Sequence, residues 1–111
     1  MFESAYDVAH AARKLKAVEL KVLDLRKLAS FTDFFVIASG TSDRHVEAIA
    51  DSIIEEMKKK GRRPIGVEGY EHGQWIIVDY GDVVAHIFYG TMREIFALEK
   101  LWADAKAVRI K

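Results

Sequence analysis

Apolar residues recur every three or four positions in three segments of the chain, and this spacing predicts three helices. We expect these helices over residues 4–16, 42–61 and 91–105. The middle helix has the clearest pattern, because Val46, Ile49, Ile53 and Met57 follow the i, i+3, i+4, i+7 rule. Gly61 predicts its end, since glycine readily adopts the left-handed conformation that terminates helices.

The segments between these helices have the composition of strands. Residues 18–25 alternate between apolar and polar side chains, which predicts a strand with one wet face near an edge of the sheet. Residues 31–40 are aromatic and β-branched without alternation, as expected of a central strand that is covered on both faces. A short strand is predicted over 65–68, and a glycine-bearing loop over 69–73 follows it.

Residues 75–90 predict a β-hairpin with a two-residue turn at Gly81 and Asp82, where glycine can take a positive φ. The turn fixes the register of the two strands. On one face it pairs Tyr80 with Val83, Val78 with Ala85 and Ile76 with Ile87, and we expect helices to cover this face. On the other face it pairs Trp75 with Phe88, Ile77 with His86 and Asp79 with Val84.

The predicted elements follow one another in the order α-β-β-α-β-β-β-α. This order predicts a single α/β (α+β) domain over residues 1–111, with a mixed sheet of about five strands and helices mainly on one face. No internal repeat or low-complexity tract interrupts the chain.

The mixed face of the hairpin has two interpretations. It can belong to a second core layer, in which His86 and Asp79 pair as satisfied polar groups. Alternatively, the face is bare and docks onto another macromolecule, because Trp, Phe and Ile with polar neighbours are typical of an interface centre. We favour docking, since so short a chain with about five strands can leave one face of its sheet uncovered.

The composition excludes several kinds of site and classes of protein. The absence of cysteine excludes disulfides and thiolate metal sites, and no apolar run approaches the ~18 residues that span a bilayer. Lys and Arg number 17, as do Asp and Glu, so a general attraction for nucleic acid is not expected. The four histidines lack the spacing of metal ligands, and we predict no bound metal or cofactor.

The charges are unevenly distributed along the sequence. No Lys or Arg occurs between Arg63 and Arg93, whereas four acids lie there: Glu68, Glu71, Asp79 and Asp82. The basic run over 58–63 precedes this acidic stretch. The basic run has two interpretations, a ribosomal RNA contact and a solvated helix end. We favour the solvated helix end, because so short a run neutralises few phosphates.

Three motifs resemble the ribosomal silencing factor family, also called the iojap family. They are ASGTSDRHVEAIAD over 38–51, WIIVDYGDVVAHIFYG over 75–90 and REIFALEKLWADA over 93–105. The resemblance implies a protein that is not an enzyme and that binds the large ribosomal subunit through ribosomal protein fourteen. Joining of the small subunit would then be blocked sterically and translation repressed. It also implies a homodimer when free and, because the chain begins directly with its first helix, a bacterial cytoplasmic protein.

Matching the family's hairpin position by position gives candidate partner-binding residues. They are Trp75, Ile77, Asp79, Tyr80, His86 and Phe88, with Glu68 and Asp82 at the rim. The implied fold is similar to that of nucleotidyltransferases, so an enzyme is an alternative. Such an enzyme needs two carboxylates one residue apart on a strand to hold magnesium, but the hairpin turn separates Asp79 from Asp82. Only Gly40 and Thr41 imitate the nucleotide-binding turn.

Overall fold

A computed structural model describes residues 2–90 and 105–110 of the chain. Two helices and six strands occur in this part, in the order α1 (Glu3–Lys14), β1 (Val18–Asp24), β2 (Phe34–Gly40), α2 (Asp43–Lys59), β3 (Gly66–Glu68), β4 (Trp75–Asp79), β5 (Val83–Tyr89) and β6 (Lys106–Val108). The predicted third helix lies outside the described residues, apart from its last position.

The six strands form one mixed sheet in the order β3-β4-β5-β2-β1-β6. β2 and β5 are parallel, and the other neighbours are antiparallel. β2 is central and buried at every position, as its continuous apolar sequence predicts. β1 lies next to the edge strand β6, which confirms its predicted place near an edge. The register of the β4–β5 hairpin is also as predicted.

The helices cover one face of the sheet, which we call the helix face. They run antiparallel, because His45 near the start of α2 contacts the carbonyl oxygen of Leu15 just after α1, whereas Lys60 just after α2 pairs with Asp7 in the first half of α1. Their apolar sides pack on Val36, Ile87 and neighbouring residues to form the larger core. Ser42, one of the two residues that could cap α2 by sequence together with Thr41, accepts a hydrogen bond from the His45 amide.

The opposite side of the sheet, which we call the second face, carries a smaller core. Its buried members are Leu23, Leu25, Phe35, Ile37, Val84 and Phe88. Large apolar side chains on both sides of the central strands explain why these strands show no alternation in sequence. The second face is therefore a packed layer over most of its area.

Two strand predictions need correction. β2 begins at Phe34 instead of Phe31, and the side chain of Phe31 is 68% exposed. The sheet has six strands instead of about five, because β6 pairs with β1 through Val22, Leu23 and Asp24. A strand of three residues is too short to show a period in the sequence, and only tertiary pairing with β1 defines it.

Candidate partner-binding surface

The hairpin β4–β5 carries most of the candidate residues. Its turn has the predicted geometry, because Gly81 has φ of 86° and the amide of Tyr80 donates to the carbonyl oxygen of Val83. A carboxylate oxygen of Asp79 accepts the Gly81 amide at 2.7 Å, which stabilises the turn from within the chain. This hydrogen bond accounts for an acid at the end of β4 without requiring a partner.

Tyr80 does not belong to the candidate surface. Its side chain is 4% exposed and packs in the larger core on the helix face. The guanidinium of Arg62 lies 5.4 Å from the centre of its ring. Burial raises the pKa of the Tyr80 phenol to about 12, and Arg62 offsets only part of this effect. The side chain of Tyr80 therefore lies on the helix face, and we do not expect it to contact a partner on the second face directly.

The expectation of a bare second face is also wrong at its centre. Phe88 is fully buried and His86 is 7% exposed, so neither side chain is accessible to a partner in this structure. The alternative interpretation, a second core layer, describes this part of the face better.

His86 is the polar group of this buried layer. The indole Nε1 of Trp75 lies 3.2 Å from His86 Nδ1, and because an indole nitrogen can only donate, Nδ1 accepts this hydrogen bond. The pairing of His86 with Asp79 that the second-layer interpretation included is not observed, although the charge of Asp79 acts on the imidazole. Burial lowers the pKa of His86 to about 4, and Asp79 opposes this effect only in part.

Aromatic rings surround His86 within the second face. Phe35 meets its ring edge-on with 4.6 Å between the centroids, and Phe88 stacks on it at 6.2 Å with the rings inclined by 8°. Trp75 in turn stacks on Phe88 at 5.2 Å. A continuous aromatic layer thus runs from the core to Trp75, which is half-buried.

The accessible part of the second face lies along β4 and the edge strand β3. Trp75, Ile77 and Asp79 alternate along β4 on this face and are half-buried, and Glu68 of β3 is paired with Ile77 and exposed. We call these four residues the docking strip. The strip combines an aromatic and an aliphatic side chain with two acids, and it lies at one edge of the sheet instead of at its centre.

Asp82, a predicted rim residue, has a structural role. Its carboxylate lies 2.7 Å from the guanidinium of Arg62, and Arg62 also donates hydrogen bonds to Ser4 and to the carbonyl oxygen of Tyr80. Asp82 thus joins the hairpin turn to the segment after α2. Asp82 therefore lies closer to the helix face than to the docking strip.

Three cations of the basic run 58–63 pair with acids of the same chain. Lys59 pairs with Glu56, Lys60 with Asp7 and Arg62 with Asp82. Each pair reduces the charge available for phosphate. This arrangement favours the interpretation of the run as a solvated helix end.

No sequence pattern indicates the contacts that hold the loop before Trp75. Gly69 has φ of 79°, and a Cβ atom there would collide with the carbonyl oxygen of Trp75. The hydroxyl of Tyr70 donates to Asp51 of α2 at 3.1 Å and ties the loop to the helix layer. The contact between Tyr70 and Asp51 joins residues 19 positions apart, so periodicity does not reveal it.

Within 2–90 and 105–110, no group of three or more His, Cys, Asp or Glu side chains has a geometry that could hold a metal ion. Of the helices in this part of the chain, none has the length and the apolar sequence that spanning a bilayer requires.

Comparison with known proteins adds independent information. Residues 2–111 match the family model described as ribosomal silencing factor during starvation. The ribosomal silencing factor RsfS of Haemophilus influenzae is 44% identical to this chain, over 80% of this chain and 87% of the relative. A crystal structure of a Chromobacterium violaceum protein superposes with a TM-score of 0.89 at 35% identity, covering 91% of this chain and 84% of that one. A mouse protein named for mitochondrial assembly of the large ribosomal subunit is 33% identical over 81% of this chain and 41% of its own length.

Proposed function

The chain belongs to the ribosomal silencing factor family, and we propose that it represses translation by docking onto ribosomal protein fourteen of the large subunit. Bound there, it obstructs joining of the small subunit. The observation that carries the proposed contact is the docking strip, where half-buried Trp75 and Ile77 lie beside Glu68 and Asp79. The proposal places this action in the cytoplasm, where the subunits of bacterial ribosomes join.

The chemistry of the docking strip matches a basic protein surface with an apolar patch. Half-buried Trp75 and Ile77 supply the anchor, because desolvated aromatic side chains commonly dominate the affinity of an interface. The carboxylates of Glu68 and Asp79 flank this anchor, and the sequence places no cation between Arg63 and Arg93 to neutralise them locally. Complementary charge of this kind directs association and excludes partners of the wrong sign.

The remaining candidate residues lie beneath the docking strip or beside it, where they stabilise the structure. His86 and Phe88 form the buried support on which Trp75 rests. Asp82 borders the hairpin turn through its ion pair with Arg62, and Tyr80 stabilises the core on the helix face. We therefore assign direct contact with the partner to Glu68, Trp75, Ile77 and Asp79.

Steric obstruction needs no chemistry beyond binding. The protein measures 34 × 34 × 25 Å. Two macromolecular surfaces in contact leave no space for a body of this size between them. When this body occupies the joining surface of the large subunit, the small subunit cannot approach to contact distance. Occupancy alone then represses translation.

Two other functions receive less support. A transferase would need Asp79 and Asp82 to hold magnesium, but these carboxylates are engaged with the Gly81 amide and with Arg62. A ribosomal RNA contact through 58–63 is weakened by the ion pairs of Lys59, Lys60 and Arg62. We retain RNA only as a minor contact.

Co-sedimentation with purified ribosomal subunits tests the proposal. We expect the protein to pellet with large subunits and not with small ones, and to prevent added small subunits from joining. Trp75→Ala should lower the affinity about thirtyfold, since such an anchor contributes about 2 kcal/mol. Leu28→Ala is the matched control, because Leu28 is 54% exposed but lies in the connection between β1 and β2.

The outcomes separate the proposal from its alternatives. Binding that survives Trp75→Ala and weakens steeply from low to physiological salt would indicate RNA phosphate as the main contact. Equal losses for Trp75→Ala and Leu28→Ala would show that the docking strip has no special role. Retention by large subunits without any effect on subunit joining would contradict the steric mechanism.

A further inference from the structure

We infer that the buried side chain of His86 is a positioning residue for Trp75, which it holds in the orientation that docks without touching the partner itself. This inference rests on the proposed function, because it concerns how the anchor of the docking strip is held. It assigns His86 a different role from the direct contact that the sequence predicts.

The hydrogen bond between the two side chains fixes the direction of the indole. Trp75 Nε1 lies 3.2 Å from His86 Nδ1, and the two residues are diagonal neighbours on adjacent strands, because His86 pairs directly with Ile77. The indole nitrogen is a donor only, so the acceptor atom of His86 determines where it points. The N–H therefore faces the protein interior, and the accessible part of Trp75 is carbon surface.

His86 is itself held rigidly, which a positioning residue requires. The edge-on contact with Phe35 and the stacking of Phe88 restrict its ring on two sides. Ile77 and Ile37 are its partners in the sheet on either side. At 7% exposure the imidazole is too buried to reach a docked protein, so its influence on binding has to pass through Trp75.

Restraint of this kind favours association. A tryptophan that turns freely loses rotamer freedom when it docks, and an anchor that is already ordered avoids much of this cost. Its polar atom is also satisfied before the partner arrives, so docking leaves no indole N–H to be desolvated. Both effects predict tighter binding for the same contact area.

Two substitutions of His86 separate positioning from folding. His86→Leu removes the acceptor but suits the apolar surroundings, so the thermal midpoint at pH 7 should change little while the affinity for purified large subunits falls about fivefold. His86→Asn keeps an acceptor oxygen near the place of Nδ1 but buries an amide that is only partly satisfied. It should lower the thermal midpoint and keep an affinity within about twofold of the wild type.

The indole proton gives a readout that a purely structural role would not move. In a ¹⁵N NMR spectrum, the Trp75 indole signal is identified by its loss in Trp75→Phe. We expect it to be protected from hydrogen exchange in the wild type and in His86→Asn, and exposed in His86→Leu. A Trp75→Phe background should remove most of the affinity loss caused by His86→Leu, because the hydrogen bond is already absent.

Each result decides between the two proposals. If His86→Leu binds like the wild type while Trp75→Ala does not bind, the positioning role is wrong and the docking strip stands. If Trp75→Ala binds normally, the docking strip itself is wrong. If His86→Leu does not fold, Trp75→Phe removes the same hydrogen bond by removing its donor. An unchanged affinity and an unchanged dissociation rate of Trp75→Phe would overturn the inference.

Discussion

The guanidinium of Arg62 lies 2.7 Å from the carboxylate of Asp82 and joins the segment after α2 to the turn of the β4–β5 hairpin. Arg62 also donates to Ser4 Oγ at 2.8 Å and to the carbonyl oxygen of Tyr80 at 3.0 Å. One side chain thus connects α1, α2 and the hairpin. Arg62 belongs to the basic run 58–63, but unlike the exposed Lys59 and Lys60 it is half-buried and closes one end of the domain.

Arg62→Ala should lower the free energy of unfolding by about 1–2 kcal/mol, because several hydrogen bonds and a contact with the Tyr80 ring are lost together. Urea denaturation provides the measurement. Arg63→Ala is the matched control, since Arg63 is exposed and should change stability by less than about 0.5 kcal/mol. Equal effects of the two substitutions would contradict the structural role of Arg62.

Tyr80→Phe should leave stability at pH 7 unchanged or increase it. The hydroxyl of Tyr80 is buried and has no hydrogen-bond partner in the described part of the chain, so its removal relieves a desolvation cost. The pKa of Tyr80 is raised to about 12, so the unfolded chain releases the phenolic proton first as the pH rises above 10. The wild type should therefore lose stability between pH 10 and 12, and Tyr80→Phe should lose less.

Acid should destabilise the wild type through His86. The pKa of His86 is lowered to about 4 in the folded chain, so between pH 6.5 and 4 the unfolded chain binds a proton that the folded chain does not. Stability contributed by neutral His86 is present above pH 6.5 and is lost as the pH falls towards 4, by roughly 3 kcal/mol in total. Denaturation of His86→Leu from pH 7 to pH 4 should show a smaller loss than the wild type. A parallel pH dependence in both proteins would count against this assignment.

Charge reversal at the rim should change docking more at low salt than at high salt. Glu68→Lys places a cation in the docking strip, and we expect a three- to tenfold loss of affinity for large subunits at low salt that shrinks as salt is added. Glu55→Lys makes the same change on the exposed side of α2. If the two variants lose affinity equally, the effect comes from net charge and not from the strip.

Local patterns predicted the parts of the fold that depend on periodicity and turn chemistry. Gly81 and Asp82 specify the hairpin register, Ser42 specifies the start of α2, and the continuous apolar run of β2 specifies its central place. In each case the information lies within a few residues of the element that it determines. Three motifs also carry the resemblance to the ribosomal silencing factor family, and the family-model match over residues 2–111 confirms it.

Local sequence patterns could not predict which residues of the second face are accessible. The sequence shows that Trp75, His86 and Phe88 share a face, but their exposure depends on packing in three dimensions. Phe88 and His86 are buried while Trp75, at the margin of the same aromatic layer, remains half-buried. The amino-acid composition is similar across the aromatic layer, so it cannot distinguish the buried Phe88 and His86 from the accessible Trp75.

The parallel pairing of β2 with β5 constrains how this domain can fold during synthesis. Phe34 lies beside Val83, nearly half the chain away, whereas the β4–β5 hairpin closes over a turn of two residues. Closure of the central pair costs more chain entropy and is expected to be slower than closure of the hairpin. A nascent chain therefore cannot form this central pair until β5 has left the exit tunnel. A protein that we propose to act on ribosomes thus acquires its docking strip only when most of its own translation is finished.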